Sequence, residues 1–194
     1  MKNLNPYAWR KEYPEELETP VLNALQHYPE LQSKKIEFKY SRKPGNSIMK
    51  AQPNIKSVLQ LGDDRAYIVY VNKIVKLGDE ELPIESLPET VLIGWFGHEL
   101  GHVIDYESLS NWGLIGFGLG YLLSKSSLRQ AENRADRIAI KHGLGQEIIA
   151  TKNFILNHTG LSEKYKRKIR RLYPSPEQIM EIINGEEKIK NLVN

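Results

Sequence analysis

No cysteine occurs anywhere in the 194 residues. That excludes a disulfide framework, and it excludes any metal site built on thiolates. A large excess of one charge sign is missing as well. A net charge of +3 is too small a surplus to imply a nucleic-acid partner. Met1 to Pro14 is polar and has no apolar h-region, so no signal peptide is expected there, and a cytoplasmic setting is the default expectation. Long hydrophobic runs are missing too. Trp112 to Leu123 carries no charge, but as a helix it would reach only about 18 Å, against a hydrocarbon core of roughly 30 Å. Its glycines at 113, 116, 118 and 120 weaken a helix further. We read 112–123 as a buried segment or a loop at a site mouth, with weak membrane-surface contact as the alternative.

What is present is the composition of an ordinary globular domain, 40% hydrophobic and 26% charged. The length suits a single domain over 1–194 with a genuine core. No internal repeat or low-complexity tract interrupts it.

Leu17, Val21, Leu22 and Leu25 recur at helical spacing behind Pro14-Glu15-Glu16, which predicts a helix from Pro14 to His27. Ile36 to Tyr40 alternates apolar and polar and reads as a strand. Ser41 to Pro53 carries Pro, Gly and Asn and reads as a loop. Lys56 to Leu61 and Arg65 to Asn72 read as two strands joined by the turn Gly62-Asp63-Asp64, an antiparallel hairpin. Lys73 to Leu87 gives no clear signal. A helix follows from Leu87 to Glu107, with Ser86 and Glu89 placed for a capping box. Further helices are expected at Ser127–Gly143, Gln146–His158, Ser162–Leu172 and Glu177–Asn184. In the third of these, Leu161, Tyr165, Ile169 and Leu172 form an apolar stripe. Its many lysines and arginines read as a solvated face.

The chemistry is concentrated in the Leu87–Glu107 helix, which contains His98-Glu99-Leu100-Gly101-His102. Residues four apart share a helix face, so both imidazoles can point at one object. That spacing suits a tetrahedral zinc ion, and Glu99 can reach a water held there without itself being a ligand. Gly94 and Gly101 fall on the histidine face, and glycine in a helix interior suggests close approach by another element. Asp105, three residues after His102 on that face, could orient a ligating imidazole from behind.

A third protein ligand is needed to complete a catalytic site. Asp105, Glu107, Glu132, Asp136, His142, Glu147 and His158 are the candidates. Glu132 is favoured. It lies on a separate helix whose facing residues, Ala135 and Ala139, are small enough to permit close approach. Asp136, one turn on, can hydrogen-bond a histidine ligand. Position 108 is Ser, so the third histidine of a metzincin is absent.

His98-Glu99-Leu100-Gly101-His102 followed by Glu132-Asn133-Arg134-Ala135-Asp136 resembles the gluzincin zinc metallopeptidases. The Glu-x-x-Ala-Asp form is similar to the branch of CAAX-processing membrane proteases and their soluble relatives. The resemblance spans roughly 65–143, and nothing in the N-terminal 35 or C-terminal 50 residues matches. It implies zinc on His98, His102 and Glu132, Glu99 as general base, and Asp136 in support. The expected fold is α+β, a small antiparallel sheet on a helical zincin-like core at about 56–143, with a helical extension over about 145–194. The expected partner is a peptide or protein substrate, lying against a sheet edge near the metal. A zinc-binding regulatory or interaction module with little hydrolytic activity is the alternative. The residue that stabilises the transition state is left open among His142, His158, Tyr106 and Tyr121.

Overall fold

A computed structural model describes residues 5–42, 47–59, 64–77, 80–110, 113–114, 124–158 and 163–193. The architecture is α+β, mainly helical, with one small mixed sheet and one small antiparallel sheet. The strands are β1 (Lys11–Glu12), β2 (Lys35–Tyr40), β3 (Met49–Pro53), β4 (Ala66–Val71), β5 (Ile74–Leu77) and β6 (Glu80–Pro83). The helices are α1 (Glu18–Leu25), α2 (Ile55–Leu59), α3 (Glu89–Glu107), α4 (Lys125–Lys141), α5 (Gly145–Asn157), α6 (Glu163–Leu172) and α7 (Pro176–Val193).

The larger sheet has the order β1-β2-β4-β3, and it is mixed rather than purely antiparallel. β4 is its interior strand, parallel to β2 and antiparallel to β3. Ala66, Tyr67, Ile68, Val69 and Val71 are buried along it, as a strand covered on both faces requires. β5 and β6, in the stretch that gives no clear sequence signal, pair as the second sheet.

The expected strand at Lys56–Leu61 is a correction. Ile55–Leu59 is helical, and residues 60–63 lie outside the described residues. Asn54 decides this locally. Its side-chain Oδ1 accepts from Lys56 N at 3.1 Å, and its carbonyl accepts from Ser57 N and Val58 N. An Asn that captures the next amides starts a helical turn instead of continuing a strand. The antiparallel partner of β4 is therefore β3, in the stretch read as a loop. Met49 and Ala51 face the core while Lys50 faces out, a period of two that the nearby Pro and Gly obscure. Pro53 is tolerated because β3 is an edge strand.

α3 runs through the middle. Phe96 meets Phe38 of β2 edge-on at 5.7 Å between ring centroids. On the α1 side, Tyr28 donates to the Gly97 carbonyl at 2.6 Å. Ser86 does not cap α3. Its hydroxyl donates to the Pro83 carbonyl at 2.7 Å, and Pro88 holds the N-cap position. α4 starts from a genuine side-chain cap, Ser124 accepting from Ser127 N at 3.3 Å. It stops before Gly143, whose φ of 86° is the left-handed conformation that glycine adopts without strain.

α5 belongs to the same packed body as α3. A Cβ on Gly94 would overlap the Glu147 carbonyl oxygen and Thr151 Oγ1 of α5. Gly101 is likewise pressed against α4, where a Cβ would lie 2.6 Å from the Ala135 carbonyl oxygen. The first helix of the C-terminal part thus packs directly on the histidine helix.

Of the apolar stretch 112–123, only Gly113 and Leu114 are described, and Leu114 is buried. The reading of its remaining residues lies outside the described residues, as does that of Leu161 and the Tyr165 side chain. No helix among the described residues is long and apolar enough to cross a membrane.

Candidate metal centre

Two glycine-mediated approaches bring three helices together around one face of α3. Gly101 lets α4 come close enough for Glu132 to reach both histidines. His98 Nε2 lies 3.1 Å from Glu132 Oε2, and His102 Nε2 lies 3.8 Å from Glu132 Oε1. The two imidazoles stand nearly perpendicular, 4.8 Å between ring centroids. Taking one donor atom from each residue, all lie within 4.8 Å of one another, and all three residues are buried. The favoured trio from the sequence thus converges in space. Among the described residues, His142 and His158 lie elsewhere. His142 stacks on Tyr28 and turns its Nε2 to Glu30, while His158 faces Glu80.

Behind this trio lies a chain of polar contacts. His98 Nδ1 is 2.7 Å from Asp136 Oδ1, so the ring is held from its far side and its Nε2 is aimed at Glu132. Asp136 is in turn contacted by Lys152 of α5, whose ammonium is 3.0 Å from Oδ2 and 3.3 Å from Oδ1. Lys152 is itself buried. Asp105 does something different from the sequence expectation. Both its oxygens accept from Arg134 Nε at 3.1 Å, and His102 Nδ1 meets no hydrogen-bond partner among the described residues. Asp105 fits a clamp between α3 and α4, because Arg134, two residues beyond Glu132, reaches it first.

Glu99 stands beside the trio, buried but lining the same cavity. Its Oε2 accepts from the backbone amide of Ala51, in β3, at 2.5 Å. Burial raises its pKa, and the nearby charge of Glu132 adds to that, against the pull of His102, His98 and the Ala51 amide.

Do these residues suit a metal ion? Glu99, Glu132 and Asp136 are three buried carboxylates, and Lys152 is the buried lysine set among them. With neutral imidazoles that leaves an excess of negative charge inside the protein, which is costly without a counter-charge. The local pKa values reflect it. Burial works against an imidazolium at His98, yet the charges and hydrogen bonds of Asp136 and Glu132 outweigh it and lift His98 to about 10. Burial works against a Glu132 carboxylate, yet the two histidines hold it well below the usual range. A place that draws in a proton so strongly draws in a cation. Two imidazoles and a carboxylate form a donor set that a divalent ion accepts.

The trio opens on a cavity of about 380 Å³. One wall is residues 47–53, including all of β3. The other is apolar, with Trp95, Ile148, Ile155, Ile169 and Leu172. Three residues of this site escape the sequence reading. Lys152 sits in the buried stripe Ile148, Thr151, Ile155 of α5, where its intrusion on an apolar face was the available signal. Ala51 acts through its backbone, which no residue type announces. Tyr173, between α6 and α7, lines the cavity and has no motif around it.

Comparison with protein families, with curated proteins and with solved structures finds no match.

Proposed function

We propose that the chain is a zinc-dependent metallopeptidase of the gluzincin kind. In this reading His98, His102 and Glu132 hold one Zn²⁺, and Glu99 is the general base. One observation carries it. Three donor atoms from two helices converge within 4.8 Å, with the buried carboxylate of Glu99 beside them at the floor of a substrate-sized cavity. A purely structural site has no use for that extra carboxylate. Three protein ligands with one exchangeable position is the usual arrangement for catalytic zinc. When bound, zinc would supply the Lewis acidity that activates water near neutral pH and polarises a carbonyl.

The protein's own residues do the rest. Asp136 and Lys152 fix the His98 ring. The Ala51 amide anchors one oxygen of Glu99, and the carboxylate takes a proton from the attacking water. Glu99 then delivers that proton to the leaving amine nitrogen.

Substrate enters along β3. Asn72 N donates to the Ile48 carbonyl and Asn54 N to the Ala66 carbonyl, so the even-numbered residues face β4. Met49, Ala51 and Pro53 therefore turn their backbone groups toward the cavity. Ala51 is engaged on both sides, by Glu99 and by the Tyr106 hydroxyl at 3.3 Å. An extended peptide adding to this edge would use Met49 and the Pro53 carbonyl. β4 is interior to the sheet and offers no free edge.

The test is metal analysis of protein purified without added zinc, followed by incubation with a mixed peptide library with and without chelator. One zinc per chain with chelator-sensitive cleavage is the expected result. Zinc without cleavage would favour a regulatory metal-binding module.

A further inference from the structure

Tyr173 stands in the three-residue link between α6 and α7. Its amide donates to the Ile169 carbonyl at 3.0 Å, which continues the turn of α6 and fixes where the side chain begins. The ring lies 5.8 Å from the His98 ring, centroid to centroid. On the Lys152 side, the ammonium is 3.8 Å from the ring centroid. The Tyr173 side chain lines the cavity beside His98, Glu99 and Glu132. Tyr173 therefore enters the candidate metal centre from the C-terminal helices, with its ring between a buried ammonium and His98 and its side chain on the cavity.

We propose that Tyr173 is a catalytic residue, its hydroxyl donating a hydrogen bond to the oxyanion that develops on the scissile carbonyl. The proposal rests on the peptidase reading and supplies what that reading lacks. Water's oxygen bonds to the carbonyl carbon, and the electron pair of the carbon–oxygen π bond moves onto the carbonyl oxygen. Glu99 takes the water proton. When the carbonyl re-forms, the carbon–nitrogen bond breaks and that proton goes to the amine nitrogen. Tyr173 gives up no proton in this sequence. It stabilises negative charge that exists only between these two events, as a preorganised donor does.

The alternatives left by the sequence are otherwise engaged. The Tyr106 hydroxyl donates to the Ala51 carbonyl. His142 is held by the Ile138 carbonyl and Glu30, and His158 faces Glu80. Tyr121 lies outside the described residues. Lys152 also lines the cavity, but its ammonium is committed to Asp136. It acts as a positioning residue for the Tyr173 ring.

Tyr173→Phe deletes one oxygen and keeps the ring on Lys152 and His98. The expected result is a kcat lower by about 10²–10³-fold, the usual effect of losing an oxyanion donor, with KM and zinc affinity little changed. A phosphinic peptide, which mimics the tetrahedral oxyanion, should bind the variant more weakly by a similar factor. A cleaved product peptide should bind both proteins alike. A merely structural tyrosine would instead lower zinc affinity, product affinity and phosphinate affinity together, and that pattern would overturn the proposal. So would a parental kcat in Tyr173→Phe. The peptidase reading fails separately, and takes the Tyr173 role with it, if the parent protein binds zinc yet neither cleaves the library nor binds the phosphinic peptide.

Discussion

The backbone amide of Ala51 donates to Glu99 Oε2 at 2.5 Å, so the edge strand of the sheet holds the carboxylate that faces the metal centre. β3 and α3 are thereby tied to each other beside the candidate metal centre. The contact also defines a clean substitution. In Glu99→Gln the amide oxygen can still accept from Ala51 N–H, so the local structure should persist, while the group can no longer take a proton. Hydrolysis should fall by about 10²–10⁴-fold with zinc still bound one per chain. Turnover at the parental rate would remove Glu99 from the role of base.

Metal content depends on the histidines themselves. His98→Ala and His102→Ala should each abolish stoichiometric zinc, read by elemental analysis after gel filtration. Chelation should also lower the melting temperature of the parent protein, because a ligand bound only by the folded state stabilises it. At a free zinc concentration of 1,000 Kd that contribution is about 4 kcal/mol. Full zinc in the double variant, or a melting curve indifferent to chelator, would end the metal reading.

Asp136 and Asp105 separate sharply. Asp136 holds His98 Nδ1 at 2.7 Å, whereas Asp105 pairs with Arg134. Asp136→Asn should weaken zinc by about 10–100-fold in a competition titration, the usual cost of losing a residue that orients a ligand. Glu132→Ala should weaken it more. Asp105→Asn should leave zinc affinity nearly unchanged and act only on stability. The opposite ranking would mean that Asp105 turns from Arg134 to the metal centre in solution.

The helical half of the fold is legible in the sequence because its signals are local. Leu17, Val21, Leu22 and Leu25 repeat at helical spacing and are all buried. Gly143 stops α4 by its own conformation. His98, His102 and Glu132 meet because Gly101 and Ala135 are small, and smallness can be read from the sequence. The sheet was harder. Met49 to Pro53 becomes a strand only because β4 lies beside it, and Ile55 to Leu59 becomes helical because of Asn54. Neither cause is a periodicity. Ala51 and Tyr173 were invisible for the same reason. One contributes an amide and the other sits in a link without a pattern, so only three-dimensional contact reveals them.

The last prediction concerns the packing that creates the centre. At Gly101 the neighbours of an added Cβ would be backbone, the Ala135 carbonyl oxygen at 2.6 Å with its carbon and Cα at 3.2 Å. A side chain can rotate away from a new methyl group, but a helix backbone must translate as a body. Gly101→Ala therefore pushes α4 off α3 and carries Glu132 away from His98 and His102. Two effects oppose each other. Alanine is better than glycine in a helix interior by about 1 kcal/mol. Overpacking a tight contact typically costs about 1–3 kcal/mol. With backbone on the other side the second should win, so the variant should melt lower and bind zinc less tightly. Gly185 of α7 is the control, since a Cβ there meets nothing within 4 Å. Gly185→Ala should raise the melting temperature, by the helix term alone, and leave zinc untouched. If the two variants behave alike in zinc titration, the close approach of α3 and α4 is not what sets the metal centre.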